Sequence, residues 1–421
     1  MATSEQPPAW AVRLRAERRA RLWSQKTMAV MLRNAADGEA QALLPSIATL
    51  QRYVRGYEAG EHHPGDLYAS LYCRVFGLDH AVLFGTCQLE PPPSQPTEHD
   101  AANLTAWLTT TNVSEDGLVH LAEAAASLAD HHTQHPPAEL LTEVMALHGR
   151  TQRLLRSGRQ RLRQTRELLS IDASLLAHAC LLLGDVEQDT SAVAFGKASD
   201  LCTREAEASP ARTLSALAKT ARWTGRFAES ADFAAHGFVC SAPPSTRILL
   251  AYQEANAAAL MGNAERARQA VNRATALAAT APEHPGSSAW SCPVPRQAVY
   301  AISVAYRTGD PDAALRAVEM ADAASAPQPP SSARTTWAQI RIGAGIAHVM
   351  KGSLDAAASE VAPVFTLAPE FRISTVTRYL TQLDRRLHER RFRRSAEAAH
   401  LRESIRDFNA AAFPPLPQEH P

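Results

Sequence analysis

The sequence is poor in the features that mark membrane proteins, disulfide-rich secreted proteins and metalloproteins. No run of 18 apolar residues is present, and residues 1–8 lack the basic-then-apolar pattern of a secretory signal. The six cysteines are scattered, without a Cys-x-x-Cys pair or a His–Cys spacing that suits zinc. These absences predict a cytoplasmic protein with reduced thiols and no membrane partner.

Motifs that carry catalysis are missing as well. The sequence contains no glycine-rich phosphate loop, no nucleophile elbow and no HExxH pattern. His131 and His135 are four residues apart, a spacing that can bind a metal, but no acid or cysteine in register completes a ligand set. We therefore expect no enzyme activity, no cofactor and no metal site.

Lysine is scarce, and charge is unevenly distributed. Only four of the 43 basic residues are lysines, and 43 acidic residues bring the formal net charge to zero. The whole chain is therefore not a nonspecific binder of polyanions. Residues 10–60, however, contain nine Lys or Arg residues against four acidic ones. A phosphate backbone favours such a local surplus, because binding releases its counterions.

The first 85 residues show a series of short amphipathic segments. In residues 10–23 the apolar positions are Trp10, Leu14 and Leu22, and Ser24 then offers an N-cap hydroxyl. A glycine that tolerates the left-handed conformation, Gly60, ends the third segment. Helical periodicity predicts five helices. The second begins after Ser24, and the third, fourth and fifth cover Ile47–Glu58, Asp66–Phe76 and Asp79–Leu83.

Three motifs in this region occur in a characteristic order, namely Arg18, Ser24-Gln25 and Tyr57-Glu58-Ala59-Gly60. Residues 10–85 thereby resemble the XRE family of phage-repressor-like helix-turn-helix proteins. The resemblance implies a five-helix, lambda-repressor-like domain over residues 1–88, which binds double-stranded DNA as a homodimer. The chain departs from the family at Asn34–Pro45, where a longer Ala/Gly/Leu segment replaces a short turn and leaves the recognition-helix register open by about a turn.

The resemblance also implies which residues contact DNA. Gln25, at the N-terminus of the second helix, would contact a phosphate, because helix N-termini favour anions. The alternative is that Gln25 is simply an exposed polar residue. Tyr53 could contact a sugar-phosphate or pack inward. The base-reading positions of the family fall on Gln51, Arg52 and Arg55, whose side chains can hydrogen-bond to base edges. The alternative is that these residues form a solvated helix face.

Two further positions of the motif have a structural role in this interpretation. Arg18 and Glu58 stand where the family pairs an arginine with a carboxylate, and this pair would hold the first helix against the end of the third. Gly56 occupies a position that often carries a polar side chain, and it costs about 1 kcal/mol of helix propensity relative to alanine. The sequence offers no explanation for that glycine.

A proline-rich stretch, Pro91–Pro96, indicates a stiff spacer, because proline lacks an amide donor and disfavours helix at the preceding residue. We therefore place a linker at residues 89–99. Beyond it, residues 100–413 show helical periodicity without a convincing alternating strand pattern. Residues 414–421 are a tail. The fold class predicted for the whole chain is all-α.

A loose internal repeat runs through this second region. A glycine ends one apolar helix and a small residue stands five positions later, at Gly225, Gly262, Gly309 and Gly352, with a weaker copy at Gly184. These motifs resemble tetratricopeptide (TPR) repeats, although a generic antiparallel helical array is a rival interpretation. A TPR-like α-solenoid has a concave face that suits a peptide, a small molecule or a second subunit.

Two arginine-rich stretches remain. One advances by threes and fours, as if along a single helical face: Arg150, Arg153, Arg156, Arg159, Arg163 and Arg166. The other, residues 385–394, interleaves arginines with acidic residues. The first could be a DNA flank, a wall for an anionic ligand or, most simply, a solvated face. We interpret the second as an ion-paired surface helix.

Together these patterns predict a transcriptional regulator. Its helix-turn-helix would bind DNA, and its helical repeats would dimerise and sense a peptide or small-molecule effector. The alternative is a protein-interaction scaffold whose degenerate helix-turn-helix no longer binds DNA. The long insertion and Gly56 favour the scaffold, whereas the local surplus of basic residues favours DNA binding.

Overall fold

The computed structural model describes residues 7–85, 98–240, 242–281, 287–323 and 334–412. Within these ranges every regular element is an α-helix or a 3-10 helix and no strand occurs, which confirms the all-α class. The chain divides into two compact units, residues 1–105 and 106–421. The spacer Pro91–Pro96 and the tail lie outside the described residues, and residues 98–99, which we had placed in the linker, already belong to a helix.

Six α-helices cover residues 9–84, one more than predicted. They are α1 Ala9–Ala20, α2 Gln25–Asn34, α3 Gly38–Leu43, α4 Ile47–Ala59, α5 Asp66–Phe76 and α6 His80–Phe84. The additional helix, α3, lies in the inserted segment. It forms there because Asp37 caps it, accepting a hydrogen bond from the Ala40 amide at 3.1 Å, ahead of residues with good helix propensity.

The core of the first unit lies between α1, α2, α4 and α5, where Leu14, Met28, Leu32 and Tyr72 are fully buried. Leu22 was predicted to belong to the same apolar stripe, but its side chain is 93% exposed. The reason is that α1 ends at Ala20, and Leu22 takes a left-handed backbone conformation (φ 58°) in the following turn.

The second unit consists largely of antiparallel helical pairs. The chain enters it through α7 Glu98–Thr109, whose first residues belong to the first unit. Three short 3-10 helices follow later, at Ala362–Thr366, Pro369–Phe371 and Arg390–Phe392. The paired helices are α8 Glu115–Asp130, α9 Pro137–Arg156, α10 Leu162–Asp185, α11 Asp189–Glu205, α12 Ala211–Trp223, α13 Phe227–Val239, α14 Pro244–Leu260, α15 Ala264–Thr280, α16 Val294–Arg307, α17 Pro311–Ala323, α18 Arg334–Lys351, α19 Leu354–Val361, α20 Ser374–Leu387 and α21 Ala396–Ala410.

The glycines of the internal repeat make the turns within four of these pairs. All four have positive φ, between 73° and 86°, a conformation that other residues rarely adopt: Gly225, Gly262, Gly309 and Gly352. The small residue five positions later is fully buried in each case: Ser230, Ala267, Ala314 and Ala357. Gly184 behaves differently, because it lies inside α10 and Glu187 (φ 63°) makes the turn instead.

The first helices of successive pairs form an inner layer. In this layer α10, α12, α14, α16, α18 and α20 pack in order, and α20 also contacts α10. The Ser374 hydroxyl donates a hydrogen bond to the Gly184 carbonyl at 2.5 Å, and Arg378 pairs with Asp189 at 2.7 Å. The inner helices therefore surround a central space.

Two features of the sequence take on a different meaning in this fold. α10 is long and apolar enough to cross a membrane, but 78% of its apolar window is buried inside the protein, as in the core helix of a helical array. The arginine run from Arg150 to Arg166 is not one helical face. α9 ends at Arg156 and α10 begins at Leu162, because Gly158 turns the chain with a φ of 65°.

Candidate nucleic-acid interface

α4 has well-formed caps at both ends. The Ser46 hydroxyl accepts a hydrogen bond from the Thr49 amide at 3.4 Å, and Gly60 ends the helix in the left-handed conformation with φ 79°. The predicted limits of this helix, Ile47–Glu58, agree with the structure to within one residue. These local signals hold the helix in a fixed register with respect to the core.

One face of α4 is buried and the opposite face points to solvent. The residues that face the core recur at helical spacing: Leu50, Val54, Tyr57 and Glu58. Arg52 and Arg55 lie on the outward face and are exposed, together with Ala48 and Ala59. Gln51 lies at the edge of this face, towards Glu58, and is half-buried. The structure thus places Arg52 and Arg55 on one exposed surface and Gln51 at its edge.

Tyr53 lies to the side of this surface. Its ring centre is 5.9 Å from that of Tyr68 in an edge-on arrangement and 6.3 Å from that of Tyr57, while 38% of the residue is exposed. Burial raises the pKa of Tyr57, at the centre of this group, to about 12. Tyr53 therefore packs against neighbouring aromatic rings and keeps only its edge in solvent.

A buried ion pair connects the C-terminal end of α4 to α1. Arg18 on α1 donates to the two carboxylate oxygens of Glu58 at 2.5 and 2.8 Å, with side-chain exposures of 11% and 1%. The hydrogen bond to Glu58 raises the pKa of the Arg18 guanidinium, although burial opposes the shift. Arg18 also donates to the Trp23 carbonyl at 2.6 Å. The bidentate geometry fixes the angle between α1 and the end of α4.

Gln25 is connected to the same carboxylate. Its side-chain amide donates to Oε2 of Glu58 at 3.1 Å, so that the first turn of α2 is held beside the last turn of α4. Ser24 caps α2, accepting a hydrogen bond from the Thr27 amide at 3.0 Å. Gln25 is half-buried, and the residue after it, Lys26, is exposed. The predicted phosphate contact of Gln25 remains a prediction.

Lys26 is a candidate contact that the sequence reasoning counted as charge but did not select as a site residue. Its side chain forms no ion pair or hydrogen bond within the described ranges, and it lies in the first turn of α2. The signal that could have identified it is a lysine two positions after a capping serine. A cation at this place adds to the attraction that a helix N-terminus has for a phosphate.

The arginines of α1 are used differently from those of α4. Arg13 donates to the carbonyls of Leu83 and Gly85 at 3.0 and 2.5 Å, and Arg15 donates to the Glu58 carbonyl at 2.6 Å. Arg21 donates to the Phe76 carbonyl at 3.0 Å. Much of the local surplus of basic residues therefore ties α1 to the rest of the unit. On α1 only Arg19 combines an exposed side chain with the absence of any such bond in the part of the chain that the structure describes.

Gly56 is buried near the end of α4, on the side of the following turn. A Cβ atom there would lie 3.4 Å from Oε2 of Glu61 and 3.9 Å from the His62 ring, which are ordinary contact distances. Crowding therefore does not require glycine at this position. Gly60 differs, because a Cβ atom there would lie 2.4 Å from Cδ of Pro8 in a backbone conformation that already favours glycine.

Two pairs of histidines lie close together in the second unit. Within the described ranges, no group of three His, Cys, Asp or Glu side chains is arranged to hold a metal ion. The rings of His131 and His135 lie edge to face, 4.9 Å apart, and His132 hydrogen-bonds to His178 at 3.1 Å. Burial lowers the pKa of His178 to about 3 and that of His132 well below its ordinary value, so both rings are neutral at pH 7.

Comparison with known proteins adds no assignment to this geometry. No protein-family model matches the sequence, and no curated protein matches it significantly. Inference about function therefore depends on the residues and contacts described above.

Proposed function

We propose that this chain is a sequence-specific regulator of transcription that binds double-stranded DNA as a homodimer. In this proposal residues 9–84 are a lambda-repressor-like helix-turn-helix of the XRE type, with α4 as the recognition helix in the major groove. The helical array is TPR-like, and it supplies the dimer contacts and a site for an effector.

The observation that carries the proposal is the outward face of α4. Arg52 and Arg55 are exposed, and their side chains form no ion pair or hydrogen bond within the described ranges, whereas the Arg18–Glu58 pair fixes the helix on its other side. An arginine held on a rigid helix can donate two hydrogen bonds to the O6 and N7 atoms of guanine. Gln51, at the edge of the same face, could form the equivalent pair with adenine.

The effector part of the proposal is supported by the inner layer of the array. Six helices surround a central space with cavities large enough for a small molecule. An effector that binds DNA-competent and DNA-incompetent dimers with different affinities would shift DNA binding, and such couplings typically amount to about 1–3 kcal/mol.

A protein-interaction scaffold is the second candidate, and one observation favours it. The inserted helix α3 presents Leu43 with 75% of its surface exposed, and a protein partner could cover this side chain. This candidate requires that the α4 face contact a protein, or nothing, in place of DNA.

Selection from a random-sequence DNA library separates the two candidates. Full-length protein should enrich one motif with two related half-sites, because a two-fold dimer contacts DNA twice. Its affinity for that motif should fall steeply between about 50 and 200 mM salt, because phosphate contacts release counterions. Failure to enrich any sequence, together with equal weak binding to all DNA, would favour the scaffold.

A further inference from the structure

The array contains a buried arginine that has no carboxylate partner. Arg222, in the last turn of α12, is 6% exposed and forms no ion pair within the described ranges. Its Nη1 atom has no hydrogen-bond partner there, and its guanidinium carbon lies 4.1 Å from the centre of the Trp223 ring. A buried charge is costly unless an opposite charge or hydrogen-bond acceptors compensate for it. The Trp223 ring and the phenol of Tyr379, to which Arg222 also hydrogen-bonds, supply only part of that compensation.

Arg222 lines a cavity of about 660 Å³ among the inner helices α12, α14, α16, α18 and α20. We call this space the inner cavity. Its walls carry five arginines, including Arg222, against a single acidic residue, Glu389. Its volume lies within the ~300–1,000 Å³ that is usual for small-molecule sites. Size and charge therefore both point to a small anionic ligand.

Partners within the protein leave part of this positive charge uncompensated. Arg378 pairs with Asp189 at 2.7 Å and Arg386 with Glu389 at 3.6 Å. Arg307 has only neutral acceptors, among them Oε1 of Gln382 at 2.6 Å. Arg385 is exposed, and it forms no ion pair within the described ranges. Arg222 and Arg307 thus contribute two further, less exposed cations without a carboxylate partner in the part of the chain that the structure describes.

The positive charge of Arg222 and Arg307 also acts on the phenol of Tyr379, which packs edge-on against the Trp223 ring. Burial, the largest influence, raises the pKa of Tyr379. The cations of Arg222 and Arg307 nevertheless bring it below its ordinary value. The same two cations also lower the pKa of Tyr306, which lines the inner cavity, but there burial outweighs them and raises it. The positive charge of Arg222 and Arg307 thus acts on both phenols.

Two other donors in the wall of the inner cavity lack acceptors. Nη1 of Arg378 and the indole Nε1 of Trp223 have no hydrogen-bond partner within the described ranges, and both residues line the cavity. These two atoms and Nη1 of Arg222 are covered by their neighbours, so a ligand would reach them only after the side chains rotate. Apolar side chains complete the lining: Phe227, Leu260 and Ile346.

We propose that the inner cavity binds a small organic anion, whose carboxylate or phosphate group is held by Arg222 and whose apolar part packs against Phe227, Leu260 and Ile346. A guanidinium matches both kinds of anionic group through paired hydrogen bonds. The proposal deepens the effector half of the proposed function, on which it rests only for the consequence of binding. Binding itself does not depend on DNA.

A competing interpretation assigns the arginines to the helix ends. Arg222 and Arg307 lie in the last turns of α12 and α16, where a cation offsets the partial negative charge of a helix C-terminus. That role accounts for their charge but not for the unpaired donors beside an open cavity. It also predicts no ligand binding, so titration distinguishes the two interpretations.

The test uses full-length protein without DNA and three probes at constant ionic strength. Phenyl phosphate and 3-phenylpropionate are the anions, and 3-phenylpropionamide is the neutral isostere. Calorimetric titration should show binding of at least one anion, with the amide about tenfold weaker or more. Arg222→Gln should weaken anion binding by a similar factor, whereas Arg406→Gln, an exposed arginine on α21, should leave it unchanged.

Hydrogen exchange of the wild-type protein covers the case in which Arg222→Gln does not fold. The bound anion should slow exchange in the C-terminal turn of α12 and in α20, without a matching change in α8 or α9. The proposal is wrong if neither anion binds, if Arg222→Gln binds as well as the wild type, or if protection appears elsewhere. Failure to bind DNA would leave this test unaffected, and failure here would leave the DNA-binding proposal intact.

Discussion

Arginine serves different purposes in two helices of the N-terminal unit. On α1, Arg13 and Arg18 donate to carbonyl and carboxylate oxygens of the same unit at distances between 2.5 and 3.0 Å. On α4, Arg52 and Arg55 are exposed, and their side chains have no such partner in the described part of the chain. Both pairs of residues contribute equally to the local surplus of basic residues in the sequence.

A count of charges therefore does not identify a binding surface. The α1 arginines lie where a helix end or a buried carboxylate offers acceptors, so the fold itself uses their donors. The α4 arginines lie opposite the core-facing stripe of Leu50 and Val54, where the fold offers none. Substitution of the α1 arginines should therefore change the stability of the unit, whereas substitution of the α4 arginines should change DNA recognition.

The largest expected effect is that of Arg18→Ala. Removing one partner of a buried pair leaves the Glu58 carboxylate desolvated and unpaired, which should cost about 3–5 kcal/mol in the stability of the unit. Arg19→Ala is the matched control one residue away, and as an exposed side chain it should change stability by less than about 0.5 kcal/mol. Hydrogen exchange of α1 and α4 measures both. Equal effects of the two substitutions would contradict the division of roles.

The second expected effect is a pH dependence of stability, caused by the buried histidines of the array. His178 has a pKa of about 3 when folded, below the ~6.5 of an unfolded histidine, so the unfolded state binds more protons between these values. The free energy of unfolding should therefore decrease as pH falls below ~6.5, by about 2 kcal/mol at pH 5 for this residue. Urea unfolding of the array at pH 7 and at pH 5 measures this loss of stability.

His178→Gln should flatten this pH dependence even though it lowers stability at pH 7, because the hydrogen bond to His132 is altered. His120→Gln, on the exposed face of α8, controls for the substitution of a histidine by glutamine. An unchanged slope in His178→Gln would show that other groups cause the acid sensitivity.

A smaller effect of opposite sign is expected at Gly56. Alanine fits there at ordinary contact distances, so Gly56→Ala should stabilise the unit by about 0.5–1 kcal/mol through helix propensity. Gly60→Ala should destabilise it, because the backbone has positive φ and Pro8 lies too close. Thermal unfolding compares the two. A destabilising Gly56→Ala would mean that this glycine has a role beyond the contacts seen here.

The smallest effect should come from the pair that connects the insertion to α5. Arg74 and Asp37 are 3.4 Å apart, with side chains 56% and 62% exposed. Such exposed pairs contribute little, so Arg74→Ala should cost less than about 1 kcal/mol. Thermal unfolding checks this value. A loss as large as that of Arg18→Ala would show that α3 is held mainly by this pair.

Local signals explain what could be predicted from the sequence. The capping serine Ser24 and the left-handed Gly60 belong to short segments whose conformation is decided by local contacts. The turn glycines of the array are equally local, and the small residues that follow them are buried in the structure. Which face of α4 points outward follows from its apolar periodicity alone.

Features that depend on distant parts of the chain could not be predicted. The bond between Gln25 and Glu58 joins residues 33 positions apart, and the contact of Ser374 with Gly184 spans 190. The isolation of Arg222 from carboxylates follows from five helices packing around one cavity. The inserted helix α3 was missed for another reason, since six residues are too few to show a period.

The ratio of affinities for selected and random DNA tests the central claim most directly. In Arg52→Ala and in Arg55→Ala the binding free energy for selected DNA should weaken by about 1–3 kcal/mol relative to that for random DNA, because base contacts carry the specificity. Gln25→Ala should weaken binding to both DNAs alike, and Arg19→Ala should leave the ratio unchanged. An unchanged ratio in both α4 arginine variants, with the fold intact, would contradict the assignment of this face to base recognition.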